Sequence, residues 1–304
     1  MFVHWIRNER FRRTEIFLGD WSCKDQKWYI PVTTKVYIGS FIWNWYARMQ
    51  TSRVSYCSES SFGHLTSRAW FERYQRLAGR LIYLSHTRPD IAYVISMISQ
   101  FMHAPSEDHM TVVMRILSYL KGVPGKGLAF KRYGHMEVKG FTDADWARNL
   151  TDRRSTSSYF TFVAGNVFTW RSKKQKVTTR SSAEAEYRGM VHGICELIWL
   201  RTLLTKVGFE PKEPMLLYCD NQEAREIANN PIQHDRTKHI EVDQHFIKEK
   251  LLLKLVDIPF IWSSEQLADI LTYAIPVVAL HKVLDKLGLE DIFAPTWGKV
   301  LTCN

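Results

Sequence analysis

Cysteine is sparse in this chain, and the five that occur (Cys23, Cys57, Cys195, Cys219 and Cys303) are odd in number, widely spaced and never in a CxxC pair. That pattern argues against a disulfide framework and against a thiolate zinc site, and it fits an intracellular setting, cytoplasmic or nuclear. Long apolar runs are missing too: nowhere does the chain reach the roughly 18 apolar residues that a membrane-spanning helix needs. The opening MFVHWIRNERFRR meets charge before an apolar signal segment can develop, so neither secretion nor membrane insertion is expected. Acidic residues are the scarcer charge, 31 against 41 Lys and Arg, which leaves a formal net charge of +10. Such a balance favours polyanionic partners, nucleic acid foremost.

What is present is a globular composition, 45% hydrophobic and 24% charged, in 304 residues, enough for two ordinary domains. Residues 1–72 carry much Trp, Tyr, Arg and Ser without a sustained period, with short strands conceivable in KWYIPVTTKVYIGSFIW. Over 73–130 a helical period emerges. Ile91, Val94, Ile95, Ile98, Phe101 and Met102 share one face behind Pro89 and Asp90. Ser106 then caps a second helix whose stripe is Val112, Val113, Ile116, Leu117 and Leu120, stopped by Gly122 and Pro124. Both read as a packed connector.

From about 131 the period switches. MEVKGFTDADWA, SSYFTFVAG and NVFTWRSKK read as three strands in a meander. A long helix follows from Ser182 to Lys206, then a strand MLLYCD, a helix NQEAREIANN, a helix over 237–254, a strand near LVDIPFIW and a helix from about Glu265. Strands first and alternating elements later imply an α/β fold with a mixed sheet flanked by helices over 131–275, followed by a C-terminal helix and tail over 276–304.

Four acidic positions stand at element ends, far apart in the chain: Asp143, Glu184 or Glu186, Asp220 and Asp269. Only a fold could bring them together. Clustered carboxylates suit phosphodiester hydrolysis, in which they hold two Mg²⁺ roughly 4 Å apart, and such hard oxygen donors are unsuited to thiolate zinc chemistry. Each acid also has a structural reading. Asp145 shares a strand face with Asp143 and reads as a surface charge. Glu184 and Glu186 lie about 200° apart around a helix, so both cannot enter one site. Ser181 and Glu184 match a capping box, which leaves Glu186 for the site and Glu184 as its alternative. Asp220 could serve only as an N-cap, and Asp269 only as a first-turn acid.

The motifs FTDADW, DRRSTSSYFTF, SKKQKVTTRSSAEAEYRGM, YCDNQEA, RTKHIEVDQHFIKEK and QLADILT, in this order, resemble the ribonuclease H of copia-type LTR retrotransposons. The stretches YQRLAGRLIYLSHTRPDIAYVISMISQFMHAPSEDHM and RILSYLKGVPGKGL are similar to the segment joining reverse transcriptase to that nuclease, and DKLGLEDIFAPTWG resembles its end, so the likeness covers about 73–298. It implies a ribonuclease H-like five-stranded mixed sheet and cleavage of the RNA strand of an RNA/DNA hybrid. The implied cofactor is two Mg²⁺, with Mn²⁺ as a substitute, held by Asp143, Glu186, Asp220 and Asp269. In that scheme Glu186 and Asp220 hold both metals, Asp143 bridges, and Asp269 completes the second site.

The same likeness implies contacts to the hybrid backbone from Arg171, Lys173, Lys174, Lys176 and Arg180 in the connector ahead of the catalytic helix. Partners are then the hybrid and other retrotransposon proteins, with neither a membrane nor a small-molecule substrate. His239 and His245 offer proton carriers, although a lone helical histidine is more often packing or surface. The chain departs from the pattern at Arg148, at Ser158 where Gly is usual and at Tyr273 where Lys is usual, and the aromatic-x-Asp-Asp polymerase motif is absent. Two other readings stand beside the enzyme: an inactive nucleic-acid-binding remnant and a structural scaffold without hybrid affinity.

Overall fold

The computed structural model describes residues 23–24, 27–29, 67–148, 152–229 and 238–291, so the reading of 1–72 falls largely outside the described residues. Two compact units result, one comprising Val3–Phe130 and Gly288–Asn304, the other Lys131–Leu287.

In the first unit a short hairpin pairs β1 (Cys23–Lys24) with β2 (Lys27–Tyr29). A helix not anticipated from sequence, α1 (Ser67–Ser85), buries Tyr74, Leu77, Ala78, Leu81 and Leu84, spaced at three and four residues so that they form one stripe. Against it pack Ile95 and Ile98 of α2 (Ala92–Ile98) and Met110, Val113 and Ile116 of α3 (Glu107–Gly122). The helix expected after Pro89 is shorter than read, because 3₁₀ turns at Pro89–Ile91 and Ser99–Phe101 bracket it. Phe101 leaves the core stripe and stacks on His109, 3.8 Å between ring centroids. Ser106 caps α3 as read, with His109 returning the bond by accepting from the Ser106 N–H at 2.9 Å. Asp90 has a packing role, since it accepts both guanidinium bonds of Arg88 and the Tyr119 hydroxyl. A strand β3 (Lys126–Lys131), also missed, pairs antiparallel with the short strand Leu289–Asp291.

The second unit is the mixed five-stranded sheet expected from sequence. Its strands are β4 (Val138–Ala144), β5 (Thr156–Val163), β6 (Asn166–Lys174), β7 (Met215–Tyr218) and β8 (Val256–Asp257), in the order β6-β5-β4-β7-β8. The first three form the antiparallel meander. Its tight turn puts Ala164 at φ 50° and Gly165 at φ 73°, both left-handed as a two-residue hairpin requires. A Cβ on Gly165 would also lie 2.7 Å from the Tyr133 ring. β4 to β7 and β7 to β8 are parallel.

Helix α4 (Ser182–Lys206) ends where Gly208 (φ 88°) takes the left-handed position. It buries Met190, Ile194, Leu197, Leu200 and Leu204, and burial of each apolar side chain contributes roughly 1.5–3 kcal/mol. Two glycines one turn apart let it lie close on the sheet: a Cβ at Gly193 would meet the Leu217 methyls at 3.0 Å, and one at Gly189 would meet the Thr142 hydroxyl at 3.3 Å. Helices α5 (Gln222–Asn229) and α6 (Lys238–Leu252) follow. The expected helix from Glu265 is corrected: that stretch forms 3₁₀ turns at Ser263–Glu265 and Ala268–Leu271, and a true helix, α7 (Val277–Lys286), starts only after Pro276. No described helix is long and apolar enough to cross a membrane.

Candidate active site

β4 and β7 are neighbouring parallel strands whose register pairs Phe141 with Tyr218. Continued two residues on, that register brings Asp220 level with Asp143 at the carboxyl ends of the strands, where α/β sheets bind ligands. Helix α4 adds Glu186 from its second turn, made possible by the close approach at Gly189. The 3₁₀ turn adds Asp269. Thus four elements distant in sequence bring their acids to one place.

Electrostatic coupling links the four. Asp143 and Glu186 are buried and hydrogen-bonded to each other. Burial, then the charges of Asp143 and Asp220, hold the Glu186 carboxyl well above its ordinary value. Burial above all, with Asp220 adding to it, raises Asp143. Burial and the Asp143 charge push Asp269 up to about 7. Carboxylate oxygens of Glu186 and Asp220 and the Cys219 sulfur lie within 4.8 Å of one another. Cys219 is fully buried and its thiol is pushed up by that burial, so it stays protonated and is no match for the oxygen donors.

Of the supporting residues, Thr272, Gln266 and Gln175 were not singled out in the sequence, and Ser158 and Tyr273 stood out only as departures from the pattern. The Thr272 hydroxyl donates to Asp143 Oδ2 and also lies 3.1 Å from the Asp269 carbonyl. Gln266, buried, donates to the Thr142 carbonyl at 2.9 Å and accepts the Ala268 N–H at 3.2 Å, which ties the 3₁₀ turn to β4. Ser158, the departure from Gly, donates to the Ala268 carbonyl at 3.0 Å and so has a positioning role here. Tyr273, a second departure, donates its hydroxyl to Asp269 Oδ2. Gln175, also buried, donates to Ser157 Oγ at 2.6 Å and to the Ala185 carbonyl at 2.9 Å, anchoring the start of α4 on β5.

The two glutamates differ in surroundings. The Glu184 N–H donates to Ser181 Oγ at 3.2 Å, and Glu184 accepts from Arg188 at 2.9 Å and from the Arg180 N–H at 2.8 Å. The capping box is therefore altered: its return bond reaches one residue upstream of the cap. Asp220 is not the cap of α5, because Asn221 Oδ1 accepts the Ala224 N–H at 2.9 Å. Asp220 instead accepts the Ser263 hydroxyl at 2.6 Å. Asp145 accepts the Thr156 N–H, a backbone-bracing job, and burial pushes it up to about 6.

The basic set is less coherent than its spacing implies. Strand β6 extends to Lys174, so Arg171, Lys173 and Lys174 belong to the sheet, with only Lys176 and Arg180 in the connector. Lys174 is paired with Asp152 at 2.8 Å, on the opposite strand face from Arg171 and Lys173, whose charges act on His192 of α4. Lys176 and Arg180 are exposed. His245 is exposed, and the His239 side chain lies outside the described residues.

Strand order, helix placement and the four-acid cluster define a ribonuclease H-like domain. The chain is 38% identical over 228 residues to the retrovirus-related Pol polyprotein from transposon RE2 of Arabidopsis thaliana, a match covering 75% of this chain and 16% of the relative. It is 37% identical over 219 residues to the corresponding polyprotein from transposon TNT 1-94 of Nicotiana tabacum, covering 72% and 16%. Among solved structures, LC11-RNase H1 in complex with an RNA/DNA hybrid is similar at 12% identity and a TM-score of 0.35, over 45% of this chain and 94% of that one. No family model matches. Over about three quarters of its length the chain matches the Pol polyproteins of copia-type transposons, and its second unit has a ribonuclease H-like fold. It spans about 16% of the length of these relatives.

Proposed function

We propose that this domain hydrolyses the RNA strand of RNA/DNA hybrids, with Asp143, Glu186, Asp220 and Asp269 as metal ligands. The observation that carries the reading is the convergence of four carboxylates with no ion-paired cation among the described residues. Among the described residues no lysine or arginine is ion-paired with any of the four, and Glu186 Oε2 is buried without a partner. An all-oxygen set with an orphaned buried oxygen fits a hard divalent cation. Two Mg²⁺, or Mn²⁺ in their place, supply water activation and stabilisation of the leaving oxygen when bound.

The residues divide the remaining work. Asp143 at the end of β4 and Asp220 just past the end of β7 form the rigid part of the site, and Glu186 closes it from the helix. Glu186 must give up a proton to become a ligand, so ion uptake releases protons and strengthens as pH rises. Asp269, near 7, takes up or releases a proton at its carboxylate around neutrality. Thr272 fixes the Asp143 oxygen, and Gln266 and Ser158 fix the turn that presents Asp269.

The test is incubation of the purified chain with a labelled RNA/DNA hybrid in Mg²⁺, Mn²⁺ or EDTA, with Asp143→Asn as control. Metal-dependent cleavage lost in the variant supports the reading, and absence of cleavage in both metals refutes it. One observation favours the binding-only alternative: Tyr273 already occupies one Asp269 oxygen. Hybrid binding without cleavage would be its signature.

A further inference from the structure

Beside the acids lies a cleft of about 300 Å³ lined by Asp143, Ala144, Asp145, Trp146, Arg148 and Tyr273. Its floor is anionic, which repels any polyanion that approaches, and Arg148 is the cationic residue in its wall. The guanidinium carbon of Arg148 sits 4.8 Å from the centroid of the Tyr273 ring, a cation–π seat. The ring's hydroxyl, at its other end, holds Asp269. One tyrosine therefore joins the cation at the mouth to an acid of the site.

The loop that delivers Arg148 is built for that position. Ala147 takes a left-handed φ of 49°, costly for a residue with a Cβ and sustained only when surroundings enforce it. Its N–H donates to Ser155 Oγ at 3.1 Å, Ser155 shares a hydrogen bond with Thr179 at 3.1 Å, and Trp146 Nε1 donates to the Thr179 carbonyl at 3.2 Å. Arg148 itself is exposed and, among the described residues, has no close carboxylate partner, Asp145 being within electrostatic reach only. A guanidinium seated on a ring keeps its N–H fork in plane and available, which is the geometry for gripping a phosphate with two bonds.

We propose that Arg148, seated on Tyr273, binds a backbone phosphate of the nucleic-acid strand beside the acid cluster. Tyr273 is then a positioning residue with two tasks, orienting Arg148 by its ring and Asp269 by its hydroxyl. This inference rests on the hybrid-cleavage reading and adds a subsite to it.

Binding is measured by fluorescence anisotropy on a labelled RNA/DNA hybrid in EDTA and in Ca²⁺, across a salt titration, using the full chain. Arg148→Ala is expected to weaken binding about tenfold and to lower the salt slope by about 0.9, the loss of one phosphate contact. Arg148→Lys, which preserves charge and folding, should keep the slope yet bind more weakly than the native chain because the fork is gone. Tyr273→Phe should bind normally, whereas Tyr273→Leu should lose part of the affinity and add nothing on top of Arg148→Ala. Unchanged affinity and slope in Arg148→Ala would overturn the proposal, as would additivity of the Arg148 and Tyr273 losses. Failure of the native chain to bind hybrid at all overturns the hybrid reading itself, whereas native cleavage with an unaffected Arg148→Ala sinks only the subsite.

Discussion

Glu184 and Glu186 stand two residues apart on one helix, and replacing each by glutamine should have opposite consequences. Glu184→Gln retains an oxygen to accept the Arg180 N–H and loses only charge, including the i,i+4 pair with Arg188 at 2.9 Å. Such a pair is worth about 0.3–0.5 kcal/mol, and weakening a charged hydrogen bond to a neutral one adds about as much, so the total stays near 1 kcal/mol. For a unit of this size that corresponds to a melting shift of about 2–4 °C, with turnover retained. Glu186→Gln removes an acid whose ionisation is penalised by burial and by Asp143 and Asp220, so the metal-free protein should melt higher at pH 8 than the native chain. The native chain should gain about 1.4 kcal/mol when Mg²⁺ is tenfold above its Kd, by the mass action of a ligand that binds only the folded state. Glu186→Gln should lose that gain together with hybrid cleavage. Thermal unfolding with and without Mg²⁺, alongside a cleavage assay, tests both halves. If Glu184→Gln abolishes turnover while Glu186→Gln keeps both turnover and the Mg²⁺ gain, the helix presents the other acid and the assignment is wrong.

Because Asp269 titrates near 7 in the fold, against about 4 when unfolded, and Asp143 and Glu186 shift the same way, the folded state holds more protons across that window. The metal-free protein should therefore lose stability as pH rises from about 4 to 7; melts in EDTA at pH 5 and 7.5 check this, and a higher melting temperature at 7.5 contradicts it. Gln266→Ala strands the buried Ala268 N–H and the Thr142 carbonyl, at about 1–3 kcal/mol each, so a loss of about 2–4 kcal/mol in denaturant unfolding and slower cleavage are expected. Neutralising Lys173 and Lys176 together should lower the salt slope of hybrid binding by up to about two, whereas Lys174→Gln alone should change it less because Asp152 engages that lysine. Equal slopes for all of these variants would place the hybrid elsewhere.

The elements most legible in the sequence were those whose local signals agreed. Helix α4 has a cap at Ser181, a stripe through Met190, Ile194 and Leu197, and Gly208 past its end, and it runs as read. The three-stranded meander follows from alternating β-branched and aromatic residues with turn residues between them. Legibility failed where local signals were weak or competed. QLADIL has a helix-like composition, yet Gln266, Ser158 and Thr272 bind its backbone and hold it in a 3₁₀ turn. The charge run after Trp170 reads as one basic connector, but the strand extends to Lys174 and alternation sends its side chains to opposite faces.

The sequence by itself thus determined which acids are available and on which elements, since period, caps and turns are properties of neighbouring residues. Only the tertiary structure decided that they meet. Asp143 and Asp220 are level because parallel register pairs Phe141 with Tyr218, and Glu186 joins them because Gly189 admits α4 to the sheet. Tyr273 likewise reads as a mere departure until the fold sets its ring under Arg148 and its hydroxyl on Asp269. Through-space proximity between residues far apart in the chain is set by packing and strand pairing, which no local pattern encodes.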